Sequence, residues 1–402
     1  MANTIKQKRG TSDPSASDLV VGELALNTTD GGVFTKTDGG TVVEVGAGGL
    51  SNNATDSTSL GVGTNALDSE TSGTNNTAFG YNAGTAISGG DYNVVVGSEA
   101  GESVTTGNEN VLIGYQAGES VTSGEENVLI GYRTGQALTT TYGTTAVGFS
   151  AARQLTSGAD TTAVGYQALE DCTSGNRNSA FGYRVLEDLT TGGSNTCIGM
   201  YSGTEVTTGS YNTAVGDLSL YKATTATSCT SSGYASLNNC TGNYNTALGS
   251  YAGDSITSGT NNTVIGYNAD ASSATISNEI TLGNSSISSL RCNTQTISSL
   301  SDVRDKTDVQ ELPEGLAFID SLNPVKFQWQ TRDGNGKDGT YEAGFIAQDL
   351  QYVQQQSSAD YLGLVMDENP ERLEASYGKL VPILVKAIQE LKSEVEQLKA
   401  NV

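Results

Sequence analysis

Histidine is absent from all 402 residues, and that one gap removes every Ser-His or Cys-His nucleophile arrangement and every His-based zinc site. Proline is scarce, at 5 residues against 50 glycines, so neither collagen nor proline-rich disorder fits. The five cysteines, Cys172, Cys197, Cys229, Cys240 and Cys292, form no C-x-x-C pair and make an odd total. A disulfide framework and a structural zinc are both disfavoured. Cations are few: 20 Lys and Arg stand against 44 Asp and Glu, a net charge of -24 that opposes phosphate backbones and anionic lipid surfaces. Nucleic acid is not an expected partner. No run approaches the roughly 18 apolar residues of a membrane span, and "MANTIKQKRG" has no apolar core behind its charges, unlike a secretory signal. The expectation is synthesis in cytoplasm without membrane insertion. Nothing in the sequence calls for a cofactor or a metal.

What the chain has in abundance is repetition. "NNTAFGYNAG", "YNVVVGSEAG", "ENVLIGYQAG" and "DTTAVGYQAL" are one theme, anchored on glycines that run from Gly63, Gly80 and Gly97 to Gly283. Every step is 17 residues except the 16 between Gly233 and Gly249. The three residues before each glycine are small or β-branched, as in Val111, Leu112 and Ile113, which predicts a strand buried on both faces. Seventeen residues cannot bury a strand alone, but coils stacked about 4.8 Å apart can, giving a rod roughly 60 Å long. The glycine then marks a corner that needs positive φ or close backbone approach.

Four residues before the glycine stands Asn76, Asn93, Asn110, Asn127, Asn178, Asn195, Asn212, Asn245 or Asn262, replaced elsewhere by Thr144, Thr161 and Cys229. Such a row could bind sugar or ice, but an amide ladder bonding from coil to coil is the stronger reading. The row of Tyr81, Tyr115, Tyr132, Tyr166, Tyr183 and Tyr267 just after the glycine reads as a packing stripe rather than a glycan platform. The motif N-T-A-V-G-Y-x-A resembles the repeat in the heads of trimeric autotransporter adhesins, which implies a β-roll packed as a homotrimer. An apolar outer face that another copy must cover is the physical reason to expect oligomers.

Residues 1–48 contain "LVVGELALNTTDGGVFTKTDGGTVVEVG", short alternating strands split by Asp30-Gly31 and Asp38-Gly39. This resembles the small β-rich modules of phage tail fibres and phage hyaluronidases, which implies attachment to other tail proteins of a virion. At the other end Val381, Leu384, Ile388, Leu391, Val395, Leu398 and Val402 alternate steps of 3 and 4, a heptad seam. Pro382 fits the first turn of that helix, and Glu394 can pair with Lys399 across parallel chains. β-branched a positions with Leu at d favour a dimer by themselves; the longer roll argues for three chains.

Residues 301–402 hold ten of the 20 cations, whereas the roughly 250 residues before them hold six. Ser301 therefore opens a new domain. By itself "LSDVRDK" would most often be a polar linker or a helix cap. In order, however, "S-D-V-R-D-K", "LNPVKFQWQ", "GFIAQDLQ" and a Leu-rich helix resemble the intramolecular chaperone domain of endosialidase tailspikes, also found on phage tail fibres and in myelin regulatory factor. The resemblance implies a domain that trimerises the protein ahead of it and then cuts itself off. It implies Ser301 as nucleophile, Lys306 as base, Asp302 and Arg304 in support, and the bond between Leu300 and Ser301 as the one cut. A serine without histidine can take lysine as its base, provided the amine is made neutral by desolvation or nearby cations. Asp302, Asp305 and Asp308 oppose that unless Arg304 or solvent holds them off. Five residues apart, Ser301 and Lys306 share a face of neither strand nor helix, so a tight turn has to join them.

The expected architecture is mainly β: a β-rich module at 1–48, a trimeric β-solenoid rod of 17-residue coils at 49–290, a linker at 291–300, and an α+β chaperone domain at 301–402 ending in a coiled-coil helix. The leading function is a phage tail fibre that meets a host surface glycan or protein, matures by single-turnover self-cleavage and is located in the virion. A glycan-degrading tailspike is the alternative, with Glu99, Glu102, Glu119, Glu125 and Glu126 as candidate acid and base; solvated loop charge accounts for these better. A bacterial surface adhesin would call for a secretion signal and an anchor, which the sequence does not suggest.

Overall fold

The computed structural model describes residues 7–10, 14–15, 24–27, 33–36, 42–44, 58–287, 289–291, 301–330, 338–367, 369–371 and 373–401. From Leu60–Val62 to Ile280–Leu282, 14 three-residue strands form a single parallel sheet in unbroken chain order. Neighbouring coils are in register: Val111, Leu112 and Ile113 lie beside Val128, Leu129 and Ile130. The repeat is thus a β-solenoid with one strand per coil.

The expectation of strands buried on both faces is corrected. In Val111–Ile113 only Leu112 is enclosed, and the alternation recurs in Thr77–Phe79, Thr213–Val215 and Thr263–Ile265. The cause is that each coil contributes a single strand. The remaining residues return through tight corners, so the interior lies on one side of the sheet. The other side carries partly or fully exposed Phe79, Phe181, Ile198, Leu248 and Ile265.

The corner glycine meets both of its expected requirements. Gly114 has φ 134°, and a Cβ there would stand 2.2 Å from the carbonyl oxygen of Gly131. Side-chain volumes trade across the core. Where Leu112 and Leu129 fill it from the strand, Gly118 leaves room, since its Cβ would lie 2.9 and 3.0 Å from their methyl groups. Where the strand offers only Ala163 or Ala180, buried Leu169 or Leu186 fills from the turn, on the coil position that Gly118 occupies. The 16-residue step omits one residue of an exposed turn: Thr207, Thr208 and Gly209 in one coil correspond to Thr241 and Gly242 alone in the shortened one.

Near the N-terminus, Leu24–Asn27, Val33–Lys36 and Val42–Glu44 pair as an antiparallel meander, with Gln7–Gly10 parallel to the first. Asp30, Gly31, Asp38 and Gly39 lie outside the described residues. The C-terminal part is α+β: α1 at Leu316–Ser321, an antiparallel pair at Val325–Gln328 and Tyr341–Gly344, α2 at Ala347–Gln356, and α3 at Leu380–Ala400. Its core gathers Phe318, Ala359, Leu364, Leu380 and Ile383. Pro382 does sit in the first turn of α3. The heptad residues Val381, Leu384, Ile388, Leu391, Val395 and Leu398 are exposed in the single chain, and Val402 is outside the described residues. No described helix is long and apolar enough to cross a membrane.

Candidate functional site

The stretch that opens at Ser301 folds locally. Asp302 caps a 3-10 turn at Val303–Asp305: its Oδ1 accepts the backbone N–H of Arg304 at 2.9 Å. The Arg304 side chain returns to the same carboxylate, Nε to Oδ1 at 3.0 Å and Nη2 to Oδ2 at 2.6 Å. Lys306 N–H closes the turn on Val303 O at 3.2 Å. The reversal brings Lys306 Nζ to 2.6 Å from Ser301 Oγ. A turn of three residues thus does what neither strand nor helix spacing could.

The neighbouring charges are partly spoken for. Arg304 engages both oxygens of Asp302 and holds its carboxyl below the usual carboxylate range. Asp308 Oδ1 accepts from Gln310 Nε2 at 2.7 Å. Ser301 and Lys306 are both solvent-exposed, so the turn supplies contact while any exclusion of water has to come from elsewhere. Leu300, on the other side of the expected cut, lies outside the described residues.

The rows on the rod resolve differently. Asn110 Nδ2 donates to Asn93 Oδ1 at 3.0 Å and to Gly124 O at 2.8 Å, and Asn93 Oδ1 also accepts Asn110 N–H at 3.1 Å. Both side chains are buried, so this row faces the core and not a ligand. At the substituted coils the backbone bond survives: Asn127 Oδ1 accepts Thr144 N–H at 3.0 Å, and Asn212 Oδ1 accepts Cys229 N–H at 3.0 Å. Tyr115, Tyr132, Phe149, Tyr166 and Tyr183 form a stacked column with centroids 4.9 to 5.4 Å apart. Their faces are spent on one another, leaving edges to solvent, and sugar stacking needs faces.

The candidate carboxylates are met by side-chain amides. Oxygens of Glu99, Glu102 and Glu119 lie within 4.8 Å of one another. Gln116 Nε2 reaches Glu99 at 2.8 Å, Gln136 Nε2 reaches Glu119 at 2.6 Å, and Asn82 Nδ2 reaches Glu102 at 3.1 Å. Glu125 and Glu126 line an open cleft of about 240 Å³ with Asp91, Tyr92, Asn108 and Glu109.

Two sets of residues escaped the sequence reading. A threonine ladder runs along the rod, Thr105 Oγ1 to Thr122 O and Thr122 Oγ1 to Thr139 O, each at 3.1 Å; its 17-residue spacing was there to be read. The second set is long-range. Lys386 Nζ donates to Glu311, Glu390 Oε2 accepts Leu316 N–H at 2.6 Å, and the Tyr361 hydroxyl donates to Glu314. Burial and the Glu314 carboxylate push the Tyr361 phenol up to about 12. No local pattern announces contacts across such separations.

With that geometry in place, comparison with known proteins adds one match. Residues 301–358, the segment that begins at Ser301 and runs through α2, match the peptidase family model described as Chaperone of endosialidase. Neither the curated proteins nor the solved structures yield a match to the chain.

Proposed function

We propose that the chain is a phage tail fibre or tailspike subunit, a rod assembled as a homotrimer by its C-terminal domain, which then cuts the bond between Leu300 and Ser301. The observation that carries this reading is the 2.6 Å contact between Lys306 Nζ and Ser301 Oγ, at the first residue of the segment that matches a self-cleaving chaperone family. Lys306 in its neutral form takes the proton of Ser301 Oγ, which attacks the carbonyl carbon of Leu300. The C–N bond breaks and the freed amine takes the proton from Lys306, leaving an ester that water hydrolyses to a Leu300 carboxylate and a restored Ser301 hydroxyl. Asp302 and Arg304 support the reaction by holding the turn.

Assembly supplies what the single chain does not. The exposed seam of α3 and the exposed apolar residues on the outer face of the rod sheet are surfaces a second and third copy would cover. A cover over the turn would also dry Lys306, which is how a lysine becomes a base. Slow, non-local registration of a long rod gives such a clamp its purpose. The N-terminal meander is the end we assign to other tail proteins, and a host surface glycan or protein is the target of the mature rod.

The test is intact mass of the purified protein followed by N-terminal sequencing of the small fragment. A start at Ser301 is expected, and Ser301→Ala and Lys306→Ala should each stay full length as trimers. A fragment with any other start, or cutting by Lys306→Ala at the wild-type rate, would refute the dyad. Release of sugar from host envelope would instead favour a glycan-degrading tailspike.

A further inference from the structure

The helix that carries the heptad seam has a second face, and that face holds the chain just downstream of the dyad. Leu380, Ile383 and Ala387 of α3 are buried against their own domain. Lys386 and Glu390 continue the same side of the helix by steps of three and four, away from the exposed Val381, Leu384, Ile388 and Leu391. Lys386 bonds Glu311, only five residues past Lys306. Glu390 accepts Leu316 N–H at 2.6 Å and lies 3.9 Å from Lys386 Nζ. The fit at Glu390 is close: a Cβ on Gly315 would stand 2.2 Å from its Oε2, so a side chain there would push the carboxylate aside. Both ends of the segment 311–316 are thereby fastened to α3, and the Ser301–Lys306 turn hangs from that segment by four residues.

Resting on the self-cleavage reading above, we propose that Glu390, with the Glu311–Lys386 pair, is a positioning latch: it ties the segment after the dyad to the helix whose opposite face assembles, so that assembly fixes the turn for cutting. These residues do not touch the reacting atoms. They act by holding the chain that carries Lys306 at a set distance from the assembled helices, and small misplacements of a catalytic pair are costly. The Glu311–Lys386 pair is an exposed ion pair, weak as a source of stability. Its loss therefore leaves folding nearly intact while freeing the segment.

The experiment uses the full chain, with oligomeric state from light scattering and the uncut fraction over time from intact mass. Glu390→Ala should remain trimeric and cut about tenfold more slowly than wild type or worse. Glu390→Gln keeps an oxygen for Leu316 N–H and should stay near the wild-type rate. Glu311→Lys and Lys386→Glu should each be slow, and the two together should recover most of the lost rate. Wild-type cutting by Glu390→Ala, or slow cutting by the exchanged pair, overturns the latch while the dyad stands. Failure of both Glu390→Ala and Glu390→Gln to trimerise would make the residue a folding determinant and also overturn it. An uncut wild type would bring down the cleavage reading itself, and the latch with it.

Discussion

The rod and the C-terminal domain solve the same problem of burying polar backbone and side chains in opposite ways. In the rod each answer is given once and copied: the Asn110 amide bonds the coils on both sides as Asn93 and Asn127 do, and the core closes within a single chain. In the C-terminal domain each contact occurs once, between distant residues such as Leu316 and Glu390, while the seam of α3 stays open. Repetition yields a body in which every coil meets the same constraint. Unique contacts yield one in which a single lost bond has no copy to replace it.

The most severe way to break this contrast is to remove the second region. A chain ending at Leu300 should be made largely insoluble, whereas the rod should remain soluble if 301–402 are removed after folding. Soluble, heat-resistant trimer from the short gene, seen by light scattering, would show that the rod needs no clamp.

A glycine in each region sharpens it next. Gly114→Ala forces a side chain into φ 134° and to 2.2 Å from a neighbouring carbonyl oxygen, whereas a Cβ on Gly378 meets nothing within 4 Å. The first should lower rod stability by about 3 kcal/mol, the second should be close to neutral, as read by denaturant titration with circular dichroism. Equal effects would mean the corner relaxes.

Asn110→Leu should cost somewhat less, about 1 to 3 kcal/mol, because it strands the buried N–H of Asn127 that Asn110 Oδ1 accepts. A variant as stable as wild type would demote the ladder to filler.

The mildest test is acid. In the rod, burial raises the carboxyls of Asp254, Asp270, Glu187 and Asp188. Raised carboxyls bind more protons folded than unfolded, so their contribution grows as pH falls from neutral through the raised values, and it is complete below the ordinary carboxylate range. In the C-terminal domain Arg304 lowers Asp302 and Lys386 lowers Glu311, so that contribution is present at neutral pH and lost as pH falls through the lowered values. Trp329, the one tryptophan, reports the second region, and tyrosine absorbance chiefly the first, which holds 14 of the 18 tyrosines. As pH falls below about 4 the tryptophan transition should soften while the rod holds; softening of both together would deny the difference in sign.

The rod was legible because its information is periodic: Gly63 to Gly283 announce the coil, and the asparagine spacing announces the ladder. Which face of the strand is buried was not, since a run such as Val111-Leu112-Ile113 reads alike whether a coil supplies one strand or several. The Ser301–Lys306 pair was singled out only through a resemblance, and its turn followed from the five-residue spacing, as the 2.6 Å contact shows. What forms the turn is short-range, the Asp302 cap and the Arg304 return. The Leu316 bond to Glu390 spans 74 residues and has no signature in either segment.

The shortened coil carries a consequence for how such a rod changes over generations. Losing one residue from an exposed turn leaves Thr246–Leu248 paired in register with the strand on either side. A coil is therefore a unit of length as well as of structure: a rod gaining or losing one whole coil would change its reach by about 4.8 Å. Both termini keep their chemistry while the distance between them is free to drift under selection.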